Sequence, residues 1–84
     1  MKLLVLVVKG KWFDLIASGQ KKIEYREIKP YWTKRLFGKN FDVIEFRRGY
    51  RKDCPKVTVE YRGLRDDEEF DGKKCYGLLL GKII

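Results

Sequence analysis

Apolar and polar positions follow short periods along the chain, and these periods predict five strands. Residues 3–8 form a continuous apolar run that is too short for an ordinary helix and is typical of a buried strand. Alternation with a period of two predicts strands over residues 22–27, 42–48 and 56–62. A final apolar run over residues 75–84 predicts the last strand. We therefore expect strands to dominate the fold.

Two short helices are predicted between the first and third strands. Residues 11–18 repeat apolar side chains at the i, i+3, i+4 spacing of a one-sided helix. Gly19 follows, and glycine tolerates the left-handed conformation that often ends a helix. Pro30 is harmless at the first position of a helix, which predicts a second helix over residues 31–37 that ends at Gly38.

Two charged segments are predicted to be exposed to solvent. In the strand over residues 22–27, the alternation places Lys22, Glu24 and Arg26 on one face, which we expect to be a charged outer face. The acidic stretch within residues 65–73 predicts a solvated loop or one helical turn. Its carboxylates would suit Mg²⁺, but a solvated loop is favoured over a metal site.

These elements together predict an α+β fold that is mostly β, in one domain spanning residues 1–84. A small sheet of about five strands exposes two edges unless it closes on itself. Closure into a β-barrel removes those edges and covers the core of a short chain. The sequence therefore predicts a small barrel of about five strands with two short helices.

The charge of the chain favours an anionic partner. The net charge is +8, and residues 1–40 hold ten basic and three acidic side chains, whereas residues 41–84 hold ten and nine. Such asymmetry raises a positive potential over one face and attracts polyanions, although a solubilising surface charge is the alternative.

The remaining composition narrows the chemistry and the setting. The chain has no histidine and only two cysteines, Cys54 and Cys75, outside any CxxC pair, so we expect no zinc site and no cofactor. No apolar run is long enough to span a bilayer. We expect a cytoplasmic protein with reduced thiols that does not bind membranes, and a monomer is favoured.

One segment carries a family motif. Gly19, Lys21, Glu24 and Arg26 fit the pattern G-x-K-x-x-E-x-R, with an apolar helix before it and the strand start at residues 41–44 after it. The chain thereby resembles the ASCH domain family of the PUA-like superfamily. The resemblance implies a PUA-like β-barrel that binds RNA in a cleft beside the motif.

The resemblance also admits catalysis. Some members of the superfamily are hydrolases, including an acetylcytidine amidohydrolase and a ribonuclease. Lys21 matches the lysine of the amidohydrolase type, whereas Glu24 stands where that type has its threonine nucleophile. The alternative function is a small hydrolase or ribonuclease acting on RNA or a modified nucleoside, with Lys21 and Glu24 as its catalytic groups.

The residues themselves favour nucleic acid, with single-stranded or structured RNA as the expected partner. Cations neutralise phosphates, and aromatic and guanidinium planes stack on unpaired bases. Glu24 either pairs with Arg26 or Arg35 and orients them, or accepts hydrogen bonds from a base. Trp32 is either a stacking platform or a packed side chain. The candidate nucleic-acid-binding residues are Lys21, Lys22, Arg26, Trp32, Arg35, Arg47, Tyr50 and Arg51. A basic face that binds an acidic protein is the third hypothesis.

Overall fold

A computed structural model describes all residues from 1 to 84, and the chain forms five strands and two helices. Along the chain these are β1 (Leu3–Val8), α1 (Gly10–Ala17), β2 (Ile23–Glu27), α2 (Pro30–Leu36), β3 (Val43–Arg48), β4 (Lys56–Phe70) and β5 (Lys73–Ile83). Strands hold 51% of the residues, which confirms a mostly β member of the α+β class. The five predicted strands and both helices are present, most of them within one or two residues of the expected bounds.

The end of α1 and the start of α2 lie at the glycine and the proline that the sequence indicates. Gly19 has a φ of 81°, and its amide donates to the carbonyl of Ile16, so the chain leaves α1 through a left-handed glycine. Pro30 stands in the first turn of α2, and Lys29 before it is extended. None of the helices is both long and apolar enough to cross a membrane.

The five strands form one sheet in the order β1-β3-β4-β5-β2. β1 pairs with β3 in parallel, and the segment from α1 to α2 makes the crossover between them. The other three pairs are antiparallel. β1 and β2 are therefore the two edge strands, and Glu24 and Arg26 of the motif lie on β2.

The two edges approach each other without closing the sheet. Arg26 on β2 donates a side-chain hydrogen bond to the carbonyl oxygen of Val7 on β1, at 3.1 Å. A sheet whose first and last strands meet through one side chain is strongly curved. No ladder of main-chain hydrogen bonds joins β1 to β2, so the predicted barrel is not shown.

The expectation of a loop or helical turn over residues 65–73 is wrong, because β4 runs on to Phe70. The carboxylates do not prevent pairing, since most of them are exposed and β5 supplies partners as far as Lys73. Register shifts between Val59 and Glu68 bend the long strand. Asp71 and Gly72 form the turn with φ values of 55° and 75°, the conformation that a two-residue hairpin of this type requires.

The core lies between the curved sheet and the two helices. It is apolar, and its fully buried side chains come from all layers: Phe46, Leu6, Ile16, Leu36, Ile44, Leu78 and Val59. Ile44 and Phe46 of β3 and Phe13 of α1 are also buried in this core. Cys54 and Cys75 are both free thiols. The single buried charged side chain is Glu24, at the edge of this core.

Candidate functional site

A recess of about 460 Å³ opens between the two edge strands. Its walls come from the end of β1, from α1, from motif residues before and on β2, from the β3–β4 loop and from the tip of the β4–β5 hairpin. The lining residues are Val7, Val8, Lys9, Trp12, Lys21, Glu24, Tyr25, Arg26, Gly49, Tyr50 and Phe70. The incomplete closure of the sheet therefore creates the recess, and the motif lines it.

Glu24 is the central group of the recess. Only 6% of the residue is exposed. One carboxylate oxygen lies 2.7 Å from Nη2 of Arg26 and the other lies 3.5 Å from Nζ of Lys21. Buried carboxylates are stable when cations and hydrogen bonds compensate them, and here two cations do so. Of the two predicted partners of Glu24, the structure has Arg26 and not Arg35.

The expected charged outer face of β2 is wrong for Glu24 and Arg26. Both side chains point into the gap between the sheet edges, where mutual pairing compensates their charges. The alternation is real, but β2 is an edge strand whose charged face meets β1 across the recess. Lys22, which precedes the strand, is exposed and does not line the recess.

Lys21 is held between two aromatic rings. Its Nζ lies 4.8 Å from the ring centroid of Trp12 and 5.1 Å from that of Tyr25. An ammonium over the face of such rings is attracted by their quadrupole. Together with Glu24, the rings fix a side chain that in water would be mobile, and only 11% of it remains exposed.

Arg26 connects the recess to α2. Its guanidinium lies 4.9 Å from the ring centroid of Trp32, while Nη2 bonds both Glu24 and the carbonyl of Val7. Nε is buried and has no hydrogen-bond partner. Trp32 packs against the core cluster, one of its two predicted roles, and also contacts the guanidinium.

An aromatic wall faces these charges. The rings of Tyr25 and Phe70 stack with centroids 4.9 Å apart and an interplanar angle of 11°. Trp12 meets Phe70 edge to face at 6.0 Å. Phe70 reaches this place because β4 continues through the acidic stretch to the hairpin. The recess therefore combines fixed charges with flat apolar surfaces.

Of the predicted binding residues Arg47, Tyr50 and Arg51, only Tyr50 lines the recess. Gly49 and Tyr50 of the β3–β4 loop line it, and Tyr50 is 92% exposed. Arg47 and Arg51 do not line it, because Arg47 pairs with Glu45 at 2.7 Å and Arg51 with Asp53 at 3.5 Å.

The last predicted residue, Arg35, lies on the exposed side of α2. Its guanidinium is 5.4 Å from the ring of Tyr31 and 5.7 Å from that of Trp32. It does not line the recess. Arg35 and Trp32 instead form a cationic and aromatic surface that adjoins Arg26.

Sequence reasoning missed several lining residues. The apolar run over residues 3–8 predicts Val7 and Val8 in the core, and the alternation over residues 22–27 places Tyr25 on the face away from the charges. The acidic stretch predicts Phe70 in a loop. A signal for Phe70 was present, because Asp71-Gly72 is a strong hairpin-turn pair and places Phe70 at a strand end. No local signal places Val7 there, since the approach of β1 to β2 depends on the curvature of the whole sheet.

A second, smaller recess of about 290 Å³ lies where β4 passes the residues before β3. Phe41, Tyr61 and Leu64 are among its lining residues. The hydroxyl of Tyr61 is buried without a hydrogen-bond partner, and burial raises the pKa of this hydroxyl. No group of three or more His, Cys, Asp or Glu side chains is placed to hold a metal ion.

Comparisons with known proteins give no relative. No model of a known family matches the chain, and neither a curated protein nor a solved structure matches it.

Proposed function

We propose that the chain binds single-stranded RNA in the recess between β1 and β2. One observation carries the proposal: Lys21, Glu24 and Arg26 converge with the rings of Trp12, Tyr25 and Phe70 in one open cavity. Fixed polar groups with flat apolar walls suit an unpaired base, which offers a hydrogen-bonding edge and two stacking faces.

The charge around the recess supports an anionic ligand. Lys9 lines the recess, Lys11 lies beside Trp12, and Lys22 precedes β2. None of these three side chains belongs to an ion pair. Uncompensated cations beside a base-sized cavity favour a ligand whose base enters the cavity while its phosphates stay outside.

Binding of fluorescent RNA tests the proposal. We expect an unstructured oligonucleotide of roughly ten nucleotides to bind and to lose affinity steeply as salt rises from about 50 to 200 mM. Lys21→Ala with Arg26→Ala should weaken binding about tenfold or more, a loss of about 1.4 kcal/mol or more.

A matched control removes two positive charges elsewhere. Lys39 and Lys82 are exposed and lie outside the recess, so Lys39→Ala with Lys82→Ala changes the net charge equally. A loss as large in this control as in the recess variant would show that binding is non-specific. Absence of any salt-dependent RNA binding by the wild-type chain would refute the proposal.

The same proposal includes the ASCH resemblance and its PUA-like barrel. Its support is positional, since Lys21, Glu24 and Arg26 of the motif meet in one cleft beside α1. The curved sheet, whose edges meet through Arg26 and Val7, is compatible with a barrel of which one seam has been replaced by a binding cleft. A cytoplasmic monomer remains the proposed form of the protein.

A second candidate function is hydrolysis of RNA or of a modified nucleoside. The observation in its favour is the contact of 3.5 Å between Lys21 and Glu24, two nearly buried groups facing one cavity. Incubation of the protein with labelled RNA and with acylated nucleosides, with and without Mg²⁺, tests it. Product that disappears in both Lys21→Ala and Glu24→Gln would support catalysis, and intact substrates would exclude it.

A further inference from the structure

The polar groups of the recess form an ordered row. The Lys21 ammonium and the Arg26 guanidinium are hydrogen-bond donors only, and the Glu24 carboxylate between them is an acceptor only. The contacts of 3.5 Å and 2.7 Å keep the three groups adjacent and in this order. All three side chains line the recess, and their order is donor, acceptor, donor.

This row retains capacity for a ligand. An ammonium has three donors and a guanidinium has five, whereas a carboxylate accepts at about four lone-pair positions. Lys21 contacts Glu24 at 3.5 Å without a hydrogen bond, so its three donors remain. Nη2 of Arg26 already donates to Glu24 and to Val7 and Nε is buried, so the Arg26 donors left for a ligand are those of Nη1. Glu24 accepts one hydrogen bond, from Arg26, and has acceptor positions left.

From this order we infer that the recess selects uracil among the RNA bases, an inference that rests on the proposed RNA binding. The Watson–Crick edge of uracil reads acceptor, donor, acceptor: the O4 carbonyl, the N3 hydrogen and the O2 carbonyl. That edge complements the row of Lys21, Glu24 and Arg26. The rings of Trp12, Tyr25 and Phe70 line the same recess beside this row and form its flat apolar wall.

Cytosine is the informative competitor because its ring has the same size. Its edge reads donor, acceptor, acceptor, so its amino group would meet a cationic donor and its N3 would meet the Glu24 carboxylate. Both contacts oppose like with like, and sites built around hydrogen bonds reject such analogues strongly. Neither adenine nor guanine has the acceptor, donor, acceptor edge that complements the row.

Competition between homopolymeric RNAs tests the inference. We expect an oligouridylate of about ten nucleotides to bind about tenfold more tightly than the oligocytidylate of the same length at neutral pH. Oligouridylate methylated at N3 should lose that advantage, because methylation removes the hydrogen that Glu24 accepts. The ligand-side change leaves the protein fold untouched.

A protein-side variant provides the second measurement. Glu24→Gln retains the shape of the side chain and replaces one acceptor by a donor, so the ratio of uridylate to cytidylate affinity should fall toward one. Lys39→Gln, a substitution outside the recess, should leave the ratio unchanged. Thermal unfolding of each variant shows that it is folded.

Each outcome has one meaning. Equal affinities of the wild-type chain for the two pyrimidine polymers, with binding still lost in Lys21→Ala plus Arg26→Ala, would overturn the selection of uracil and leave RNA binding standing. No binding to any of the polymers would overturn both. A uridylate preference that survives N3 methylation would also overturn the inference.

Discussion

The guanidinium of Arg26 on β2 and the main-chain carbonyl of Val7 on β1 are joined by a hydrogen bond of 3.1 Å across the open seam of the sheet. The same Nη2 atom bonds Glu24 at 2.7 Å. One side chain therefore couples the approach of the two edge strands to the arrangement of charges in the recess. Stability and ligand binding should both depend on it.

We expect Arg26→Lys to lose stability although the charge is kept. Lysine lacks the planar fork that reaches Val7, Glu24 and the Trp32 ring together. Loss of charge-assisted hydrogen bonds at a partly buried site predicts a destabilisation of about 1.5–3 kcal/mol in denaturant unfolding. A loss below about 0.5 kcal/mol, the usual range for substitutions at indifferent surface sites, would show that the seam does not depend on Arg26.

Phe70→Ala should weaken RNA binding more than it weakens the fold. The ring is 40% exposed but stacks on Tyr25 and closes the aromatic wall of the recess. Base stacking on such a wall is worth about 1–3 kcal/mol, so a corresponding loss of affinity is expected in anisotropy titrations. Phe37→Ala is the control, because Phe37 is exposed and lies outside the recess. Similar effects of both variants on affinity would contradict the assignment of Phe70.

Tyr61→Phe should stabilise the protein by about 1 kcal/mol. The Tyr61 hydroxyl is buried without a hydrogen-bond partner, which costs about 1–3 kcal/mol of desolvation. The variant keeps the ring, which meets Phe41 edge to face. Urea unfolding at neutral pH measures the difference, and a clear loss of stability would show that the hydroxyl has an undetected favourable role.

The same residue predicts a dependence on alkaline pH. Burial raises the pKa of the Tyr61 hydroxyl above its ordinary value of 10.0, so the unfolded chain ionises it first. Its contribution to the free energy of unfolding is therefore complete below pH 10 and is lost as the pH rises through the folded-state pKa. Tyr61→Phe should lose less stability than the wild-type chain over this range, as measured by unfolding at successive pH values.

Gly77→Ala should destabilise the hairpin through a steric conflict. A Cβ at this position would lie 2.7 Å from Cγ of Glu68, close to the backbone of β4 where the side chain cannot swing far. Overpacking of this kind costs about 1–3 kcal/mol. Adding Glu68→Ala removes the opposing Cγ and should restore part of the loss. A double variant no more stable than Gly77→Ala alone would exclude this cause.

The local signals in the sequence account for most of the elements but not for the site. Gly19 and Pro30 predict the end of α1 and the start of α2 because their backbone restrictions act locally. The prediction of a loop around Phe70 is wrong because it rests on the five neighbouring carboxylates and not on the Asp71-Gly72 turn pair. In the folded chain those carboxylates are mostly solvated while the main chain pairs with β5.

The inward position of Glu24 could not be predicted from alternation. The period of β2 separates two faces but does not say which one meets another part of the molecule. Which face turns inward depends on β2 being the edge of a sheet that curves back toward β1. The contact that shows this curvature joins Arg26 and Val7, which are 19 positions apart in the sequence. The motif predicts its residues as a group, and only the folded chain shows the aromatic wall beside them.

The most direct test of the proposed RNA binding is a nuclear magnetic resonance titration of the isotope-labelled protein with single-stranded RNA. The account predicts that the amides of Glu24 to Arg26, the Trp12 indole and the Tyr50 amide shift together and saturate at one RNA concentration. Shifts concentrated instead around Phe41 and Tyr61 in the second recess, or spread evenly over the exposed lysines, would contradict it.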